Sequence, residues 1–504
     1  MWLKFSSRDL MLVAHYVGVF LVGIGLAMSI PLFTGLLYGE WGPALDYAFG
    51  MGVALAAGTF LLNAETRPER ATHTHALAIT AFGWLGAAAV AAVPLAFSGN
   101  YLTYLDALFD AISGLTVSGL TVVVDIDHMA HAHNMWRHLT QLIGGQGIVV
   151  AALSFALGMR GGAYSLYVAE GRDERILPNV LHTARFIWFV TAVYVTAGTL
   201  TLFAIMTYLG MAPERGILHA FWLSAAAFDT GGFAPQRMNL MYYHSYFVEL
   251  AALFLMMAGS LNFALHAHVW RGARFEIRKN LETRVLAFVI TVMSTLVVAG
   301  LASSESFSGV FGTFRKGVFQ VISGHSAGHQ TVYANQLILD LGGAGLIAIM
   351  LGMAIGGSLS STGGGVKALR VGVIAKSILL NIKEALAPRS ASMSIRYHHL
   401  GPRILTPELT GAAATVFILY LVTYLMGGVV GAAYGYSAPK AMFESISATA
   451  NSGLSIGVTS PSMPTGLKLV YMFQMWAGRL EFIAVLVLVA QVILALDVKG
   501  GRRR

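Results

Sequence analysis

Four stretches of this chain set glycine beside small hydroxyl- or amide-bearing residues, each behind a short run that contains an aromatic. The first, Tyr104 to Val124, reads YLDALFDAISGLTVSGLTVVV, and the second, Phe221 to Ala234, reads FWLSAAAFDTGGFA. The third, Phe319 to Thr331, reads FQVISGHSAGHQT, and the fourth, Phe443 to Gly457, reads FESISATANSGLSIG. The chemistry open to such stretches is the holding of a bare alkali cation. Rings of backbone carbonyls can replace the water that the ion loses in a low-dielectric medium. A carbonyl turns inward only from unusual dihedrals, which glycine reaches cheaply. Gly119, Gly232, Gly328 and Gly453, one per stretch, are therefore the expected narrow ring. Val117, Ser118, Thr230, Gly231, Ser326, Ala327, Asn451 and Ser452 are expected to supply the neighbouring carbonyls. Oxygens of Thr116, Thr121 and Ser455 could brace the loops or line the mouth. One such glycine could equally be a helix-packing contact, and it is the repetition that favours the ring.

These segments are too short and glycine-rich to cross a bilayer, so other elements must position them. The composition supplies those elements. Of 504 residues, 56% are hydrophobic and 11% charged, and mean hydropathy is +0.68. Soluble domains carry about a quarter charged residues, so the chain reads as an all-α polytopic membrane protein. A span needs about 20 apolar residues. Leu10–Ile30 and Trp41–Ala64 form a leading hairpin, the first run being read as a retained helix and not a signal peptide. Four helix–pore segment–helix repeats follow, with first helices at 75–97, 184–209, 285–302 and 409–432 and second helices at 136–157, 246–265, 337–355 and 467–496. The expected divisions are a hairpin at 1–70 and repeats at 71–175, 176–280, 281–400 and 401–504, making ten spans. Irregular backbone at membrane depth is tolerated where it lines water or is wrapped in protein.

With the N-terminus inside, three quarters of the 32 basic residues fall in 1–9, 65–74, 160–185, 271–284, 367–403 and 499–504. This positive-inside bias puts both termini in the cytoplasm and all four pore segments on the outer side. The net charge of +8 is thus topological and argues against nucleic-acid binding. There are no cysteines, which excludes disulfides and thiolate chemistry, and no polar stretch is long enough for a separate soluble domain. No organic cofactor is expected in this chain, and no enzyme activity, since no catalytic pair converges outside the pore segments.

Several other residues could do chemistry. Asp106, Asp110, Asp125, Asp127, Asp229, Glu249, Glu305, Asp340 and Glu444 fall on the outer side and could concentrate cations, or be surface and capping charges. His128, His131 and His133, with Asp125 and Asp127, are close enough in sequence to raise the question of a metal site. His325 and His329 flank Gly328 and could change pore polarity with pH or simply pack. The run Gly356 to Gly365, GGSLSSTGGG, has poor helicity and reads as a broken helix able to move as a gate. Gly356, Gly357, Gly363, Gly364, Gly365 and Lys367 are its candidate residues. Arg479, inside the last span, must find a carboxylate, carbonyls or water. Glu481 lies on another helix face, which favours a pore-facing Arg479.

Together these residues resemble the Trk/Ktr/HKT superfamily of cation transport proteins, most of all its bacterial Trk branch. The resemblance covers about residue 75 to the end. It rests on SGLTVSGLT at 113–121, WRHLTQLIGGQGI at 136–148, Asp229–Phe233, GSLNFALH at 259–266, Gly356–Arg370 and Gly478-Arg479-x-Glu481. The resemblance implies potassium permeation through one pore per protomer, a homodimer in the inner membrane, and a cytoplasmic ring of nucleotide-binding regulatory subunits. It also implies an intramembrane gate at Gly356–Gly365 and a gating arginine at Arg479. The filters depart from the family pattern at Val117, Ser118, Ala327 and His329, which leaves sodium open beside potassium. A non-selective cation channel or an ion-coupled secondary transporter is the alternative.

Overall fold

The computed structural model describes residues 5–64, 72–147, 180–302, 309–334, 337, 340–388 and 393–496. The basic loop residues at 65–71 and 160–179, Glu305, residues 148–157 of the expected second helix of repeat 1 and the C-terminal basic cluster lie outside the described residues.

Helix content follows from the long apolar runs. Among the described residues, six helices are long and apolar enough to cross a membrane: Ser7–Leu37, Trp41–Leu62, Thr74–Phe97, His182–Tyr208, Leu281–Ala302 and Pro407–Ala433. At 1.5 Å per residue, the 22 residues of Trp41–Leu62 cover the hydrocarbon thickness. Their starts carry ordinary signals. Ser6 and Thr72 close capping boxes, and Thr406 caps a helix that opens with Pro407. Large apolar side chains such as Phe247, Phe254 and Phe288 stay exposed, as a lipid-facing surface requires.

The expected second helices of repeats 2, 3 and 4 differ from simple spans. Tyr246–Ser260 and Phe263–Trp270 are bent by 99° at Leu261–Asn262, where the Asn262 side chain caps the second piece. The expected span 467–496 is also two helices, Thr465–Arg479 and Ile483–Leu496, with Glu481 and Phe482 at positive φ between them. That of repeat 3 shortens to Gly342–Ile355. Each break sits in a glycine- or polar-rich motif, where helix propensity is weakest. The segment between repeats 3 and 4 also folds a small antiparallel hairpin, Arg396–His398 with Pro402–Ile404, that the hydropathy pattern does not announce.

The chain forms two compact units, one of residues 1–115, 122–189 and 480–504 and the other of 116–121 and 190–479. In the first, the leading hairpin packs through small residues: a Cβ on Gly18 would come within 2.7 Å of the Gly58 carbonyl oxygen. The second contains all four glycine loops.

Candidate ion-conduction site

Each glycine loop follows a short helix. The helices are Tyr104–Leu115, Pro213–Phe228, Phe319–His325 and Ala438–Ala450, the third led in by a π turn at Phe314–Val318. Three or four residues past each helix end stands a glycine at positive φ: Gly119 at 82°, Gly232 at 75°, Gly328 at 69° and Gly453 at 83°.

These four residues meet in a closed cycle. A Cβ on Gly119 would overlap the carbonyl oxygen of Gly231, and one on Gly232 that of Ala327. A Cβ on Gly328 would overlap that of Ser452, and one on Gly453 that of Ser118. Every glycine thus abuts the carbonyl of the residue before the next glycine, and the fourth loop returns to the first. Left-handed backbone recurs two residues earlier at Val117, Thr230 and Asn451, with φ of 52°, 55° and 53°. The third loop departs from this, Ser326 having φ −129° and ψ −95°.

Side chains tie the loops together. Asn451 Nδ2 donates to Ser118 Oγ at 2.7 Å and to the Met475 carbonyl at 2.9 Å. Ser452 Oγ donates to the Gly324 carbonyl at 2.9 Å, and Thr116 Oγ1 lies 2.8 Å from Ser118 Oγ. Ser326 Oγ turns back to the Ile322 carbonyl of its own helix at 2.8 Å. Behind the loops, Gly144, Gly259 and Gly478 leave room for the carbonyls of Leu115, Phe228 and Thr449, each four residues before a ring glycine. Their shared register was a signal in the sequence that pattern reading passed over. In repeat 3 the corresponding Gly352 faces the His325 ring instead.

The glycine-rich run 356–365 folds back on itself between Ile355 and Ala368. The Gly357 N–H donates to the Gly364 carbonyl at 3.3 Å, and Ala368 N–H to that of Gly357 at 2.9 Å. It is held from several sides. Thr362 Oγ1 donates to the carbonyls of Phe228 and Gly259 at 3.1 and 2.8 Å, and Thr230 Oγ1 donates to Thr362 Oγ1 at 3.2 Å. Gly364 lies against the Ala450 carbonyl. Lys367 Nζ, itself buried, donates to the carbonyls of Ser358 and Gly363 at 3.3 and 2.5 Å. Arg479 Nη1 donates to the Thr362 carbonyl at 2.7 Å. The buried Glu282 accepts the Leu359 N–H at 2.6 Å.

Known proteins carry the same arrangement of sequence. The family profile described as TrkH, cation transport protein, matches residues 48–494. The chain belongs to the TrkH cation transport protein family. It is 29% identical over 97% of both chains to an uncharacterized cation transporter of Methanocaldococcus jannaschii. It is 28% identical to the Trk system potassium uptake protein TrkH of Escherichia coli, over 94% of this chain and 97% of that one. The crystal structure of the potassium transporter TrkH from Vibrio parahaemolyticus has the same fold, with TM-score 0.81 and 23% identity over 96% and 99% of the two chains. With its apolar helices, this TrkH-family chain is a multi-pass membrane protein.

In this TrkH-family chain the acidic residues behave differently from a diffuse outer field. Asp110 is buried and paired with Arg137 Nε at 2.9 Å, while Tyr101 donates to the same oxygen at 2.9 Å. Glu249 is buried and bound by Arg315, and Asp340 lies 3.7 Å from Lys316. Glu444 collects the loop that follows Gly453: it accepts from Ser455 Oγ, the Ile456 and Val458 N–H groups and Thr459 Oγ1 at 2.5 to 3.1 Å. Asp229 and Asp106 are buried too. Carboxylates with this many donors are structural, because each donor would otherwise be stranded. Glu444→Ala should strip four donors of their acceptor and lower the thermal midpoint in detergent by several degrees, while Lys383→Ala, with an exposed side chain, should leave it unchanged.

The histidines also separate. His128 pairs with Asp125 at 2.8 Å on the surface, His131 bonds Glu40 at 2.7 Å, and His133 bonds the Tyr47 hydroxyl at 3.1 Å. Among the described residues no three His, Asp or Glu side chains converge as metal ligands, so the sequence cluster does not become a site. Burial would raise the Glu40 carboxyl, but hydrogen bonds from the His131 ring and from the Ala132 and His131 N–H groups hold it below the usual carboxylate range. His325 Nδ1 lies 3.4 Å from the Gly356 carbonyl, and His329 Nδ1 lies 3.0 Å from Asn239 Oδ1. Both rings are buried.

Proposed function

We propose that this chain passes monovalent cations, potassium foremost, across the cytoplasmic membrane through a pore whose narrow ring is Gly119, Gly232, Gly328 and Gly453. The observation that carries this reading is the closed cycle of four left-handed glycines, each against the carbonyl before the next. Such packing brings four carbonyl-bearing loops around one axis, the geometry that replaces an ion's water shell. The carbonyls of Val117, Ser118, Thr230, Gly231, Ser326, Ala327, Asn451 and Ser452 are proposed to line it. The helix ends before the loops contribute the negative ends of their dipoles. Potassium is taken from the uptake proteins this chain is similar to.

The repeat boundaries proposed are 71–175, 176–280, 281–400 and 401–504, behind a hairpin at 1–70, with both termini inside. Gly356 to Gly365 is proposed as the gate, held closed by Lys367 and Arg479. A homodimer and a cytoplasmic nucleotide-binding ring complete the proposed assembly.

The test is flux through purified protein in liposomes, with rubidium, potassium, sodium and lithium compared under one gradient. Fast, non-saturating rubidium flux supports a pore, whereas saturable flux that needs a proton or sodium gradient overturns it in favour of a carrier. Arg479→Ala removes a charged donor from the Thr362 carbonyl. Such a bond is worth about 1.5–3 kcal/mol, so the closed loop should lose about tenfold or more in population. Flux should rise accordingly, and unchanged or reduced flux in this variant would remove Arg479 from the gate.

A further inference from the structure

Asn239 lies outside the glycine stretches, in a short turn at Asn239–Tyr243 after the second loop. Its backbone is left-handed, with φ 53°, a conformation that asparagine tolerates better than most residues. Its side chain joins two loops. Nδ2 donates to the carbonyl of Gly232, a ring glycine, at 3.2 Å. Oδ1 accepts from the His329 ring at 3.0 Å, from the Gln330 N–H at 3.3 Å and from its own turn at Leu240 N–H at 2.9 Å. These contacts assign the ring atoms: Nδ1 of His329 carries the proton, because the amide oxygen can only accept. His329 is fully buried, and among the described residues its Nε2 has no hydrogen-bond partner, so the ring's polar contact there is with Asn239.

We propose that Asn239 and His329 form a latch that determines ion specificity by tethering the second glycine loop to the third. The proposal rests on the pore reading above. A ring carbonyl that stays mobile can close inward on a smaller ion, whereas a tethered one keeps the spacing that suits a larger one. The Gly232 oxygen gives one of its two acceptor positions to Asn239 and is restrained by a side chain that is itself held at three points. The latch thus favours potassium and rubidium over sodium. One of the two loops it joins is the third, where this chain departs from a fourfold pattern, since Ser326 lacks the left-handed backbone of its three counterparts. It also gives His329 a definite role as the positioning partner of the amide. Neither residue is proposed to bind the ion through its side chain.

The experiment measures the potassium-to-sodium permeability ratio in liposomes, from reversal potentials under bi-ionic conditions, for the full-length protein. Asn239→Gly removes the side chain and keeps the left-handed backbone without strain. His329→Phe removes the ring proton at similar volume, and His329→Asn keeps a donor near the place of Nδ1. The first two variants should lower the ratio by about three- to tenfold, the worth of one net hydrogen bond, with rubidium flux retained. The double variant should fall no further than either single one, and His329→Asn should stay near the wild-type ratio. Ratios within error of wild type in conducting Asn239→Gly and His329→Phe proteins would overturn the latch, as would fully additive losses in the double variant. Should Asn239→Gly not yield monodisperse protein, the contrast between His329→Phe and His329→Asn decides the matter alone. The pore reading fails differently: wild-type flux would then be carrier-like, or indifferent to Gly232→Ser.

Discussion

Serine at Gly232 should reduce rubidium flux by about tenfold or more, and it should do so without unfolding the protein. Two separate costs fall on that substitution. The first is conformational, because Gly232 has φ 75° and an L side chain there is disfavoured by about 1–2 kcal/mol. The second is spatial, because the new Cβ would occupy the position of the Ala327 carbonyl oxygen. That neighbour is backbone, and it belongs to the loop that closes the same ring, so it can yield only by widening or twisting the ring. Gly210 separates the two costs. It also has positive φ, 89°, but a Cβ there would have nothing within 4 Å. Gly210→Ala should therefore lower the thermal midpoint slightly and leave flux and selectivity unchanged. Equal flux through Gly232→Ser and wild type, measured under one rubidium gradient, would show that the cycle of glycines is not the conduction path.

The ring was legible because its demands are local. Each loop needs one residue at positive φ a few positions after a helix, and glycine at 119, 232, 328 and 453 marks those places whatever the rest of the chain does. The long apolar runs and the basic loops likewise carry their meaning in composition. What stayed hidden depends on partners far apart in sequence. Arg315 reaches Glu249 from 66 positions away, and His329 reaches Asn239 across 90. Nothing in the pattern around an acid distinguishes a solvated charge from one buried against an arginine, so the acids read as a cation-concentrating field or as surface and capping charges, when Asp110, Glu249 and Glu444 are braces. The breaks at Leu261–Asn262 and Leu480–Phe482 were hidden for a related reason. Both sit in runs apolar enough to pass as continuous spans, so the few glycine and polar residues that weaken the helix there are outweighed in any hydropathy reading. The Gly144, Gly259 and Gly478 notches were readable in principle, since each faces a carbonyl four residues before a ring glycine.

Among these braces, the Asp110–Arg137 pair should show the largest effect on stability. The two side chains are 0% and 1% exposed and lie 2.9 Å apart, with the Tyr101 hydroxyl on the same carboxylate oxygen. The pair joins the short helix Tyr104–Leu115 to the following helix His131–Gln146, whose Trp136 is fixed by a 2.9 Å bond to the Ala91 carbonyl. Removing one partner leaves the other as an uncompensated buried charge, and such losses cost about 3–5 kcal/mol. Asp110→Ala and Arg137→Ala should each give protein that melts well below wild type in detergent or fails to accumulate. The charge itself is not what the fold requires. A buried pair gains little over apolar groups of similar volume, so Asp110→Leu combined with Arg137→Met should recover much of the stability that either change alone forfeits. Single and double variants that all melt like wild type would mean that the pair is solvated, and that the junction between these two helices is held by Trp136 and the Gly144 notch instead.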